Sequence, residues 1–215
     1  MERRKAIKNM GLAFGFTVAT PTVLSILQSC QSETSAGWVP SFFSPEEGHV
    51  VKQMVDLILP KTDTPSASEV NVHIFIDAYA DEVMETEVQG FMKMMAGKFV
   101  DQAKAKAGKD NGLDLTAEDI EPVLAASLNV SEEQEKANQE ALGKFMEAAA
   151  KGEEAELDAG AASANFASSM RDAAIWSYKN TEEIGENVLA YQSIPGEYIG
   201  CGDLEELTGG RAYSL

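Results

Sequence analysis

The chain has 215 residues, enough for one domain with a substantial core and short for two. Hydrophobic residues make up 44% of it, which excludes wholesale disorder, and a formal net charge of −18 makes the exterior strongly acidic. Such a surface repels phosphate backbones and anionic lipid alike, so nucleic acid is excluded as a partner and membrane attachment requires a covalent or apolar anchor.

The first elements in chain order supply that anchor. Glu2-Arg3-Arg4-Lys5-Ala6-Ile7-Lys8 precedes an apolar run from Gly11 to Leu27 that Gly, Thr and Pro21 interrupt. The run is shorter and more broken than the roughly 20 apolar residues a membrane-spanning helix needs, so it reads as a cleavable leader. Arg3 and Arg4 resemble a twin-arginine export signal, from which Glu2 and Ala6 depart. Leu27-Gln28-Ser29-Cys30 resembles a lipobox, which makes Cys30 the lipidation residue. The expected organisation is a twin-arginine signal peptide over 1–29, a lipidated tether over 30–43 and a single helical domain over 44–215, in an exported cell-envelope lipoprotein on the periplasmic side of a membrane. The leader's four cations and one acid carry +3, so the remainder carries −21. Twin-arginine export moves folded cargo, and a cofactor motif is missing from this sequence, so any cofactor would belong to a partner exported with it.

Past the tether, Ser44-Pro45-Glu46-Glu47 is a helix start, with Ser as cap, Pro in the first turn and acids at the positive end of the dipole. Val50, Val51, Met54, Leu57 and Ile58 fall at helical spacing before Pro60 ends the element. Lys61 to Ser66 is turn-rich, and Thr62, Asp63 and Thr64 have side chains that bond nearby backbone and stiffen a loop. Val72, Phe75, Ile76, Tyr79 and Val83 form a second helical stripe; Phe91, Met94, Met95 and Phe99 form a third. Gly108 to Asp114 breaks the pattern. Thr116-Ala117-Glu118-Asp119 and Ser131-Glu132-Glu133-Gln134 are capping starts for two further helices, the first disturbed by Pro122. Ala137 to Ala167 is rich in Ala and Glu, which favours helix but leaves little bulk to bury beyond Leu142, Phe145, Met146, Leu157 and Phe166, so it is expected to be helical and peripheral. Met170, Ala174, Ile175 and Tyr178 restore a packed face. With no alternating strand pattern, the fold class is all-α, an irregular helical bundle with an extended, loop-rich C-terminal tail.

That tail, from Ala173 to Tyr213, is aromatic, marked by Gly and irregular. Trp176, Tyr178, Tyr191, Tyr198 and Tyr213 combine apolar area with a polar tip, the composition of a docking surface or of a segment packed back on its own helices. Ile194-Pro195-Gly196 turns the chain toward Cys201. Once Cys30 is lipidated, Cys201 is the lone thiol, expected to be buried or at an interface.

The sequence offers little chemistry. Glu46-x-x-His49 has the spacing of a di-iron helix, but only one copy exists, and His73 lies near Glu69 and Asp77 in no second E-x-x-H, so a metal site lacks ligands and both histidines read as surface or hydrogen-bonded structural residues. No G-x-S-x-G elbow, dinucleotide fingerprint or C-x-x-C-H haem attachment is present. Catalytic, cofactor-binding and metal residues are therefore all expected to be none.

Two blocks carry a resemblance. Leu59-Pro60-Lys61-Thr62-Asp63-Thr64-Pro65-Ser66-Ala67 is similar to an L-P-[RK]-T-D-T-P-G-A segment, with Ser66 in place of Gly. Tyr178, Thr181 to Gly185 and Tyr191-Gln192-Ser193-Ile194-Pro195-Gly196-Glu197-Tyr198-Ile199-Gly200-Cys201 resemble the C-terminal signature of the same family, gluconate 2-dehydrogenase subunit 3. The resemblance implies a small accessory subunit, without a cofactor of its own, of a membrane-bound flavin-dependent dehydrogenase of the glucose-methanol-choline (GMC) type. It places FAD in that large subunit, and often adds a cytochrome c subunit. Tyr178, Tyr191, Gln192, Ile194, Pro195, Tyr198 and Ile199 are then the expected partner interface. The alternative is a stand-alone envelope lipoprotein that binds carbohydrate or serves as a scaffold, since Trp and Tyr stack on sugars as readily as they anchor interfaces.

Overall fold

A computed structural model describes residues 38–153, 155–192, 194, 196, 199 and 201–214. Within the unit Val39–Leu215 the elements are α1 (Pro45–Ile58), α2 (Val72–Glu82), α3 (Thr86–Ala107), a 3-10 turn (Gly112–Asp114), α4 (Ala117–Leu128), α5 (Glu132–Ala150), α6 (Ala159–Lys179), a π-helical turn (Glu183–Val188) and the short α7 (Leu204–Thr208). This is the all-α bundle the sequence predicts. The expected export signal at Arg3 and Arg4, the lipidation residue Cys30, and Pro195 and Tyr198 of the tail lie outside the described residues.

Local chemistry sets the helix ends. At α1 the Ser44 amide donates to the Glu47 carboxylate over 2.8 Å while the Glu47 amide donates to Ser44 Oγ over 3.3 Å, a reciprocal cap that satisfies two otherwise orphaned donors. Gly108 ends α3 at φ +67, a left-handed conformation that costs glycine little. At α4 the Thr116 amide and hydroxyl both donate to Asp119. Pro122, expected to disturb this helix, lies inside it, and α4 runs through it to Leu128. Proline there forfeits one amide bond, and burial of Ile120, Val123 and Leu124 on either side outweighs that local loss.

The larger correction concerns the Ala-rich region. Its first half, α5, is indeed peripheral, with Asn138 its one buried residue among those described. Its second half is the opposite. Helix α6 packs against α1, α2, α3, α4 and α5 in turn and is the axis of the bundle. Ala161, Ala162, Ala164, Ala167 and Ala174 are buried along it, and their small side chains let five neighbours approach one helix closely. Bulk comes from partners, as where the Phe99 and Phe166 rings meet at 5.6 Å with both essentially sealed from solvent.

The folded body also begins before residue 44. Phe42 and Phe43, placed by sequence in the tether, are buried in the core edge to face at 4.9 Å. Asp77, itself 2% exposed, explains why the segment stays there: its carboxylate accepts the amides of Ser41 (2.7 Å), Phe42 (3.1 Å) and Phe43 (3.0 Å). A buried carboxylate is tolerated where backbone donors of this kind replace its hydration.

Candidate functional site

The two sequence blocks that carry the resemblance meet in space. The loop Leu59–Ala67 is closed on itself by Ala67 N donating to Leu59 O (3.1 Å) and Thr62 N donating to Thr64 O (3.0 Å). Its flanks are fixed by Ser68, whose amide and hydroxyl donate to Asp56 over 2.8 and 2.6 Å, and by the Lys61–Glu69 ion pair, which with the Ser66 amide holds the Glu69 carboxyl below its usual range. Tyr178, near the end of α6, reaches over this loop: its hydroxyl donates to Pro65 O at 2.7 Å and lies 3.0 Å from Thr64 Oγ1. Tyr178 was expected at a partner interface; here it is half-buried and its polar tip is committed to its own chain.

Beyond α6 the π-helical turn leads to Ala190, which pairs in parallel with Tyr213: Ala190 N donates to Ala212 O (2.8 Å) and Ser214 N to Ala190 O (3.0 Å). This pairing brings the two ends of the intervening segment together. On it Tyr191 (51% exposed), Ile194 (86%) and Ile199 (53%) face solvent, as do Gln192 and Leu204. Of these, Tyr191, Gln192, Ile194 and Ile199 are among the expected interface residues. Cys201, expected to be buried or interfacial, is exposed.

A second apolar surface lies on α2 and α6. Phe75 and Tyr79 share the second helical stripe with Val72, Ile76 and Val83, yet they are 45% and 40% exposed while Val72 and Ile76 are buried. With Trp176 of α6, 50% exposed, they form an aromatic triad with ring centroids 5.6–6.3 Å apart. The triad borders a groove of about 340 Å³ between α2 and α6, whose deepest lining residues are Ile76, Met92 and Met170. Val72, Ile76 and Ala80 occupy one i, i+4 row of α2 and Phe75 and Tyr79, continued by the C-cap residue Val83, the next; the second row, adjacent to the first, is the available signal that this helix is apolar over more than one neighbour covers. Val83, 60% exposed, and the half-buried Met84 extend the surface toward a corner carrying Asp81, Glu82, Glu85 and Glu87, all exposed and none ion-paired among the described residues.

A smaller polar cavity of about 120 Å³ lies where α4, α5 and α6 meet, lined by Ser127, Asn138, Asn165 and Arg171 among others. Its guanidinium is engaged by Asp172 and Ser168, at 2.9 and 3.2 Å.

The Glu46-x-x-His49 pair serves structure. The Glu46 carboxylate accepts the Gly112 amide at 3.1 Å and pairs with Lys104 at 3.5 Å; His49 Nε2 sits 2.9 Å from Leu115 O, which also accepts from Gln53 at 2.8 Å. Both residues thus fasten the 3-10 turn to α1. His73 is buried, and that burial, reinforced by Lys52 and opposed by Asp56 and Asp77, pushes its pKa down to about 4. Among the described residues no group of three or more His, Cys, Asp or Glu is placed to hold a metal ion, and no helix is long and apolar enough to cross a membrane.

No curated protein and no solved structure matches this chain. The model of one family, described as gluconate 2-dehydrogenase subunit 3, matches residues 45–196, from the first residue of α1 to the middle of the exposed loop. That span holds the Leu59–Ala67 loop, the Tyr178 hydroxyl that locks it and the aromatic groove, and the chain belongs to the gluconate 2-dehydrogenase subunit 3 family.

Proposed function

We propose that this chain is the non-catalytic small subunit of a GMC-type, FAD-dependent sugar or alcohol dehydrogenase. It binds the large subunit, accompanies it through twin-arginine export and holds it at the membrane by the lipid on Cys30. Family membership supports the coarser part, an accessory subunit of a dehydrogenase complex. The FAD then resides in the large subunit, and a cytochrome c subunit is a further candidate partner.

The observation that carries the reading is the exposed aromatic triad Phe75, Tyr79 and Trp176 over an apolar groove in an otherwise acidic chain. A contiguous apolar patch of this kind is a liability for a monomer and an asset for a subunit. The exposed loop carrying Tyr191, Ile194 and Ile199 adds a second surface of the same character.

The test is purification of the affinity-tagged full chain from its own membranes under mild detergent, with flavin absorbance of the eluate. A flavoprotein in fixed ratio to the chain is expected, together with sugar or alcohol dehydrogenase activity. A chain that elutes alone, without flavin, and binds an oligosaccharide in its place would replace this reading with the carbohydrate-binding one.

A further inference from the structure

We infer that the groove between α2 and α6 seats an apolar side chain presented by a basic segment of the large dehydrogenase subunit. The inference rests on the proposed function and deepens it by naming the surface and the chemistry of its occupant.

The shape comes first. Phe75, Tyr79 and Trp176 stand around a space of about 340 Å³, within the range of roughly 300–1,000 Å³ typical of binding pockets, and Ile76, Met92 and Met170 close its base at 3%, 6% and 1% exposure. The base is thus part of the bundle core and does not shift cheaply. The rim is aromatic and exposed, and the half-buried Met84 at its edge can adapt to the shape of an incoming side chain. Buried apolar pockets ringed by aromatic residues are where single anchoring side chains contribute most to association.

The charge around the groove then selects among occupants. Asp81, Glu82, Glu85 and Glu87 lie exposed, and without an ion pair among the described residues, within eight residues of Tyr79 along the chain, and the remainder of the chain after its leader carries −21. A second copy of this chain would bring the same carboxylates face to face across a two-fold contact. An anionic lipid surface is repelled by them. A sugar needs several convergent hydrogen-bonding groups, and the lining offers the Ser169 hydroxyl, the Tyr79 hydroxyl and the Trp176 indole N–H among apolar neighbours. A protein segment with Leu, Met or Phe as anchor and Lys or Arg beside it fits both the apolar groove and the acidic corner.

The test uses the tagged full chain, wild type and variants, purified from membranes with flavin absorbance per mole of chain as the readout. Trp176→Ala and Phe75→Ser are expected to lower the flavin yield at least tenfold, with helical circular dichroism unchanged. Glu82→Lys with Glu85→Lys is expected to lower it severalfold, and more at low salt than at high. Flavin yield unchanged in both groove variants overturns the inference while leaving the proposed function standing. Wild type without any flavin overturns the proposed function instead. The groove is then decided separately, in a Trp38→Phe background where Trp176 is the one indole. A synthetic amphipathic Leu/Lys 14-residue peptide should shift Trp176 emission to the blue saturably at 150 mM salt, and a Ser/Lys peptide of equal charge should not. No shift with the Leu/Lys peptide, or an equal shift with both, overturns the groove as a seat for a basic apolar segment.

Discussion

Removing the Asp77 carboxylate is the sharpest test of how the body is fastened to the segment leading from the tether. In Asp77→Ala the amides of Ser41, Phe42 and Phe43 lose their acceptor together. The Ser41 amide can turn to water, because Ser41 is exposed; those of Phe42 and Phe43, at 4% and 3% exposure, cannot without movement. Two orphaned buried donors cost about 1–3 kcal/mol each. The chain can avoid that cost by peeling residues 41–43 away, but doing so exposes two phenylalanines, worth about 1.5–3 kcal/mol apiece. The two routes cost about 2–6 and about 3–6 kcal/mol, a large fraction of the roughly 5–15 kcal/mol that stabilises an ordinary domain. Asp77→Asn keeps one acceptor oxygen and should lose about half as much. Urea unfolding followed by circular dichroism measures the loss, and limited proteolysis tells the routes apart, since peeling opens a cleavage site before Ser44. A stability change under about 0.5 kcal/mol in Asp77→Ala would refute the reasoning, for it would mean that solvent already shares those three amides.

The remaining predictions concern the histidine core, the loop lock and the leader. His73 titrates near 6.5 when unfolded and is held at about 4 when folded, so the unfolded chain takes up the extra proton between those values. Its contribution is therefore full above pH 6.5 and falls as the pH drops, by about 2 kcal/mol at pH 5; the stability difference between wild type and His73→Gln, measured in urea at pH 7 and pH 5, should shrink by that amount. Tyr178→Phe deletes the hydroxyl that holds Pro65 O and should cost about 1 kcal/mol in the melting of the isolated chain, whereas Tyr191→Ala, on the exposed loop, should leave melting unchanged and weaken retention of the flavoprotein. Arg3→Lys with Arg4→Lys should keep both this chain and the dehydrogenase activity in the cytoplasm, as seen by fractionation, because lysine does not reproduce the paired guanidinium geometry. Cys30→Ala should abolish lipid labelling and release the chain from washed membranes.

Sequence alone determined the helical class, the cap at Ser44, the stop at Gly108 and the apolar face of α1, because each follows from a local rule that needs no partner: side-chain oxygens meet orphaned amides three residues on, glycine takes positive φ, and apolar residues repeat every 3.6 positions. It also marked Leu59–Ala67 and the Tyr178 region as special, without showing that one hydroxyl ties them together across 113 positions. Tertiary structure decided what periodicity leaves open, which face finds a neighbour. Phe75 and Tyr79 carry the same helical spacing as Val72 and Ile76, yet the bundle covers one row and leaves the other in water, so the aromatic groove becomes visible only when α6 is placed against α2. The first half of α6, expected to be peripheral, is central for a related reason. Alanine supplies little area to bury and so suggests a surface, but where five helices converge the scarce quantity is room, and the smallest side chains occupy the centre.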